Sequence, residues 1–125
     1  MKQQIITENA PRAIGPYSQG IVIGNTVYVS GQIPVDPKTG LMAETVEEQA
    51  HQVFRNLTGV LAEAGMTLDD VVKTAVFLAD LGDFGTVNAI YESYFKAPYP
   101  ARSCVQVAAI PKGAKLEIEC IAVKD

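Results

Sequence analysis

An arginine, two cysteines and two glutamates stand on the last two apolar stretches of this chain. The first stretch reads Pro100-Ala101-Arg102-Ser103-Cys104-Val105-Gln106-Val107, and the second Leu116-Glu117-Ile118-Glu119-Cys120-Ile121-Ala122-Val123. Both have strand character, and both carry charge where a buried strand favours apolar side chains. An arginine presents a rigid fork of donors matched to a carboxylate. A glutamate accepts a proton and, when its pKa is raised, also donates one. On one face of a sheet, the two would bind a small acid beside a built-in base.

Alternation along the strands predicts which residues share a face. Val105 and Val107 match Leu116 and Ile118 as the helix-side face. The other face then carries Arg102, Cys104 and Gln106 with Lys115, Glu117 and Glu119. Parity does not choose between Glu117 and Glu119. A competing reading is a salt-bridged sheet surface, with Arg102 paired to one of them across adjacent strands. The same parity sets Cys104 and Cys120 on opposite faces, which argues against a disulfide. Free thiols fit a reducing compartment.

Other chemistry is weaker. A Cys104 nucleophile needs an imidazole, and the one histidine, His51, falls on the polar side of a helix. Lys73 could form a Schiff base, yet no phosphate-binding glycine loop accompanies it. Two cysteines and one histidine are too few for a structural zinc site. Tyr17, in the turn Gly15-Pro16-Tyr17-Ser18-Gln19-Gly20, reads first as a packed loop aromatic. Asn88 reads first as a solvated or capping residue.

The elements that must position these residues are legible in outline. Gly20 and Gly24 bracket a short strand, Ile21-Val22-Ile23, and Asn25-Thr26 turns it into Val27–Gln32. Asp36-Pro37-Lys38-Thr39-Gly40 is a turn. Thr45 with Glu48 is a capping-box pattern. Val46, Ala50, Val53, Phe54, Leu57, Val60, Leu61 and Ala64 then recur at helical spacing, and Gly65 suits the residue beyond the helix end. Val71–Leu78 is a β-branched run suited to a central strand. Asp83 is placed to cap a second helix, with Val87, Ile90, Tyr91, Tyr94 and Phe95 on its apolar side; Pro98 and Pro100 end it. Closing strands follow at about 102–108 and 115–123. The order ββαβαββ predicts a single α+β domain over residues 1–125, with both helices on one face of one sheet.

That arrangement leaves the second sheet face uncovered. The strand 71–78 is apolar on both sides, and two helices cover only one. A partner must cover the other, and a second copy of the chain is the simplest one. A chain of 125 residues with 48% hydrophobic and 19% charged residues is long enough for a real core. A net charge of −4, with scattered lysines and arginines, disfavours nucleic acid. No apolar run suits a signal peptide or a membrane span, so cytoplasmic residence is expected.

Four separated motifs, in order, carry a resemblance. They are Ala13-Ile14-Gly15-Pro16-Tyr17-Ser18-Gln19-Gly20, Ser30-Gly31-Gln32-Ile33-Pro34, Pro100-Ala101-Arg102-Ser103-Cys104-Val105 and Glu117-Ile118-Glu119, with Asp83-Phe84 and Val87-Asn88 as a further match. Together they resemble the RidA family (YjgF/YER057c/UK114), its archetypal branch, over essentially the whole chain. The resemblance implies a chorismate-mutase-like subunit in a homotrimer, with sheets facing inward and clefts between subunits. It implies hydrolysis of the enamine and imine products of pyridoxal-dependent dehydratases, 2-aminoacrylate and 2-aminocrotonate, to 2-oxo acids and ammonia. Arg102 would clamp the substrate carboxylate. Glu117, chosen over Glu119 by the family pattern, would activate water. Tyr17, Ser30, Gly31, Asn88 and Cys104 would line the pocket, part of it from a neighbouring subunit. No metal or organic cofactor is implied, because an iminium is already a strong electrophile. Gln106 departs from the acid common at that position. A non-catalytic 2-oxo acid-binding or regulatory module, and an RNA-directed ribonuclease or translation inhibitor, are the competing functions.

Overall fold

The computed structural model describes residues 1–125. Six strands form one sheet: β1 (Gln3–Ile5), β2 (Gly20–Ile23), β3 (Thr26–Gln32), β4 (Val71–Leu78), β5 (Ala101–Gln106) and β6 (Leu116–Val123). Two helices, α1 (Val46–Glu63) and α2 (Phe84–Tyr94), complete the α+β fold. The sheet order is β1-β2-β3-β6-β4-β5. All pairings are antiparallel except β4 with β5, which α2 connects in parallel, so the sheet is mixed. No helix is long and apolar enough to cross a membrane.

The helix ends follow from their residues. Thr45 accepts a bond from the Glu48 backbone N–H at 3.2 Å and caps α1. Gly65, at φ 74°, ends it; the Gly65 and Met66 N–H groups return to Ala62 and Leu61 carbonyls, as in a Schellman motif. Val53, Phe54, Leu57, Val60 and Leu61 are fully buried on the α1 face toward the sheet. Val27, Val76, Leu78, Leu116, Ile118 and Ala122 meet them from the strands. Asp83 makes no capping bond to α2; Asp80 instead caps the short 3-10 turn before it.

Three expectations are corrected. The chain has an additional edge strand, β1, so the order is βββαβαββ. Gln3-Gln4-Ile5 has one buried apolar residue and no alternation to betray it.

The last two strands are not neighbours. β4 lies between β5 and β6, which sets those strands roughly 9–10 Å apart, two interstrand spacings. An Arg102–glutamate pair across adjacent strands is therefore impossible. The one ion pair is exposed and lies elsewhere, between Lys96 and Asp69 at 3.9 Å.

The face assignment of β5 is also inverted. Arg102, Cys104 and Gln106 stand beside Thr74, Val76 and Leu78, the helix-side residues of β4. Val105 stands beside Phe77, as does Glu117, on the opposite face. Cys104 and Cys120 consequently share a face, yet both are free, because β4 separates them.

That opposite face bears no helix. Ile23, Tyr28 and Val105 are 47%, 49% and 47% exposed. Large apolar side chains left half in water across one sheet face mark an interaction surface.

Candidate active site

Two groups of side chains gather on opposite faces of the sheet. The first centres on Arg102. Phe84, Asn88 and Tyr91 recur on α2 at spacings of four and three, which sets them on one helical face. That face meets β5. The Arg102 guanidinium carbon lies 4.8 Å from the Tyr91 ring centroid and 5.4 Å from that of Phe84. Its Nη1 donates to Asn88 Oδ1 at 2.7 Å. The Tyr91 hydroxyl is bonded to Thr74 Oγ1 at 2.8 Å within the core. Arg102 thus lies against two rings and is held by one amide, with no acidic partner. The rest of its donor fork is open to a carboxylate.

A cavity of about 370 Å³ adjoins it, lined by Asn88, Tyr91, Glu92, Tyr99, Pro100 and Arg102. Cys104 is half-buried on the same face, two residues along β5. Burial raises its thiol pKa, and the Arg102 charge offsets this in part. A thiol held protonated is a poor nucleophile, which argues against attack by Cys104. Burial, and then the Glu119 charge, push the Cys120 thiol up to about 12.

The second group centres on Glu117. Val29 pairs with Cys120 and Gln32 with Ile118, so Ser30 and Gly31 face the single residue Glu119. This β-bulge bends β3 beside Glu117. A Cβ built on Gly31 would stand 2.5 Å from Glu117 Oε2 and 3.2 Å from its Cγ. Only glycine lets the carboxylate lie there. The Ser30 hydroxyl donates to the Ser18 carbonyl at 2.5 Å, and the Ser30 N–H donates to the Gln19 carbonyl at 3.0 Å. Both ties hold the loop that carries Tyr17, which is 52% exposed. Burial first, and the Glu119 charge second, raise the Glu117 carboxyl above its ordinary value. A carboxyl shifted this way is better suited to both take and return a proton.

The structure therefore brings Arg102, Asn88 and Cys104 together on one face and sets Gly31 against Glu117 on the other, with Ser30 of the same bulge tied to the loop that carries Tyr17. It does not join the two sets within one chain. The sequence reading missed Phe84, Tyr91 and Thr74 as supports of Arg102. The 84/88/91 spacing on α2 was the available signal.

Gly31 lies outside the left-handed region, so alanine there strains no backbone and acts only on Glu117. Gly31→Ala is expected to leave the melting temperature nearly unchanged. It should lower kcat by about 10²-fold, the cost of a catalytic group misplaced by an ångström; steady-state kinetics beside a thermal melt checks it.

The family model "Endoribonuclease L-PSP" matches residues 7–124. The chain is 56% identical over 127 residues to a 2-iminobutanoate/2-iminopropanoate deaminase of Salmonella typhimurium, covering 99% of each. Among solved structures, it is similar to the YjgF gene product from E. coli, with TM-score 0.94 and 50% identity over 98% of this chain and 99% of that one. It is also similar to E. coli TdcF with bound serine, with TM-score 0.95 and 47% identity over the same shares. Likeness of this extent, along both the sequence and the fold, places the chain in the RidA/YjgF/L-PSP family.

Proposed function

We propose that this protein hydrolyses 2-imino acids to 2-oxo acids and ammonia, at sites that two copies of the chain complete together. The observation that carries the reading is the separation of Arg102 from Glu117. The two charged groups suited to this reaction sit on opposite faces of one sheet. They can meet only across an interface, and the open face offers apolar surface for one. A closed homotrimer with inward-facing sheets is the assembly we favour, on the resemblance noted above.

In such a site, Arg102 receives the substrate carboxylate as a bidentate pair. The partner subunit's Glu117 takes a proton from water as the water oxygen bonds to the imine carbon. The same proton is then returned to nitrogen. The partner's Glu117 then takes the hydroxyl proton as that oxygen forms the carbonyl of the 2-oxo acid and the C–N bond breaks, and it passes this second proton to the departing nitrogen, which leaves as ammonia. Tyr17, Ser30 and Gly31 shape the Glu117 side; Asn88 and Cys104 shape the Arg102 side.

The test is direct. A pyridoxal-dependent threonine dehydratase generates the imine in the cuvette, and ammonia and 2-oxobutanoate are followed with and without this protein. Acceleration over buffer supports the reading, and no acceleration refutes it. A binding module without turnover would bind 2-oxo acid and give no acceleration. The matching family model also names an endoribonuclease, but the net charge of −4 opposes an RNA partner. RNA cleavage lost with rising salt would favour that reading instead.

Assembly has its own test. Val105 is half-exposed on the open face and belongs to no core cluster. Val105→Asp is expected to leave each chain folded but monomeric by light scattering, and to abolish imine hydrolysis. A desolvated, unpaired carboxylate at an interface costs several kcal/mol.

A further inference from the structure

Six polar residues are buried: Thr7, Gln19, Gln32, Gln49, Asn56 and Thr74. Gln19 stands out among them for the number of hydrogen bonds its side chain makes to backbone. Its Nε2 donates to the carbonyls of Thr7, Ala10 and Pro11 at 3.0, 3.2 and 2.8 Å. Its Oε1 accepts from the Thr7 N–H at 2.8 Å. The side chain is 4% exposed, and its own carbonyl accepts from Ser30 on β3. One carboxamide thus closes the segment 7–11 onto residue 19, and the loop that carries Tyr17 runs between them.

The closure is set tightly against the core. Segment 7–11 lies on α1 at Gly59, where a Cβ would stand 2.3 Å from the Asn9 carbonyl oxygen. Tyr17 itself has no side-chain hydrogen bond to hold it, and only the Tyr17 N–H to Gly15 carbonyl bond, at 2.9 Å, stiffens its turn. The aromatic depends for its place on how the loop ends are fixed. Gln19 fixes the entry through segment 7–11, and Ser30 fixes the exit through Ser18.

We infer that Gln19 is a positioning residue, which holds the Tyr17 loop in its catalytic geometry through the bonds to Thr7, Ala10 and Pro11. This rests on the reading above that Tyr17 lines the site. Gln19 contacts no substrate in this account and acts only through the loop.

A double-mutant cycle on the full-length protein tests it. Gln19→Met fills similar volume and removes all the side-chain bonds. It is expected to lower kcat/KM for the imine about tenfold in the wild-type background, and by less than about twofold in a Tyr17→Ala background, since residues acting as a unit are not additive. A general loosening of the fold would cost the same factor in both backgrounds, which overturns the proposal, as does full activity of Gln19→Met. If Tyr17→Ala alone keeps wild-type kcat/KM, the placement of Tyr17 in the site is wrong and the proposal falls with it; the two failures are told apart by that single variant. Circular dichroism establishes folding. Should Gln19→Met not fold, Gln19→Asn, one methylene too short for its partners, takes its place in the cycle. Failure of both to fold assigns Gln19 to folding and overturns the positioning role.

Discussion

Arg102→Ala is expected to reduce imine hydrolysis to little more than the rate in buffer. Removing one member of a hydrogen-bonded charge pair costs about 3–4 kcal/mol, a factor of about 10²–10³ in kcat/KM. The fold has no stake in the residue: Arg102 is exposed, sits on the edge strand β5 and forms no ion pair. Its melting temperature should stay within a few degrees of wild type. Arg102→Lys is expected to recover only part of the loss. Lysine keeps the charge, but it loses the planar fork and the stacking on Tyr91 and Phe84. Ammonia release with a dehydratase-generated imine measures all three proteins. Equal rates for wild type and Arg102→Ala would remove Arg102 from the mechanism. The spontaneous hydrolysis of free imine sets the floor of the assay, so the measured factor is a lower bound.

Glu117→Gln is expected to separate binding from chemistry. The carboxamide keeps the shape but cannot take a proton from water, and loss of a general base costs about 10²–10⁴-fold in kcat. Affinity for a 2-oxo acid, read by calorimetry, should stay near wild type, because the carboxylate is held at Arg102. The wild-type rate should fall as pH drops through the raised Glu117 pKa, above the ordinary carboxylate range. Glu117→Gln should lack that acid limb.

Stability should move the other way. A carboxyl with a folded pKa above its unfolded one keeps its proton longer in the native state. Stability is then greatest below the unfolded pKa, declines as pH rises through the folded pKa, and stays lower above it. At neutral pH the native protein carries this penalty and Glu117→Gln does not. The variant should melt at or above the wild-type temperature at neutral pH, with no such advantage in acid. A dead variant that is also less stable at neutral pH would contradict this account of Glu117.

How far the sequence could be read depended on whether the signal was local. α1 was legible from Thr45 to Gly65 because cap, periodicity and terminal glycine lie within one segment. β4 was legible as a β-branched run. Strand order was not, because it is decided by which distant segments pair. Consecutive strands are usually neighbours, and here β4 separates the last two. The faces of β5 were misread for a related reason. Val105 is apolar, and apolar side chains suit an interface face as well as a core face. Arg102 tolerates the helix side because β5 is an edge and α2 offers aromatic rings there. The site residues Tyr17, Ser30, Gly31, Asn88, Cys104, Arg102 and Glu117 were named from motif likeness. Their division into two sets required the register.

The six buried polar side chains are four carboxamides and two hydroxyls. None of them is an acid or a base in water. The internal polar scaffolding is therefore indifferent to acidity across the physiological range. Structural polarity and reactive charge are kept in separate residue types, so a change in pH acts on the charge at Glu117 while the buried carboxamides and hydroxyls keep their hydrogen bonds.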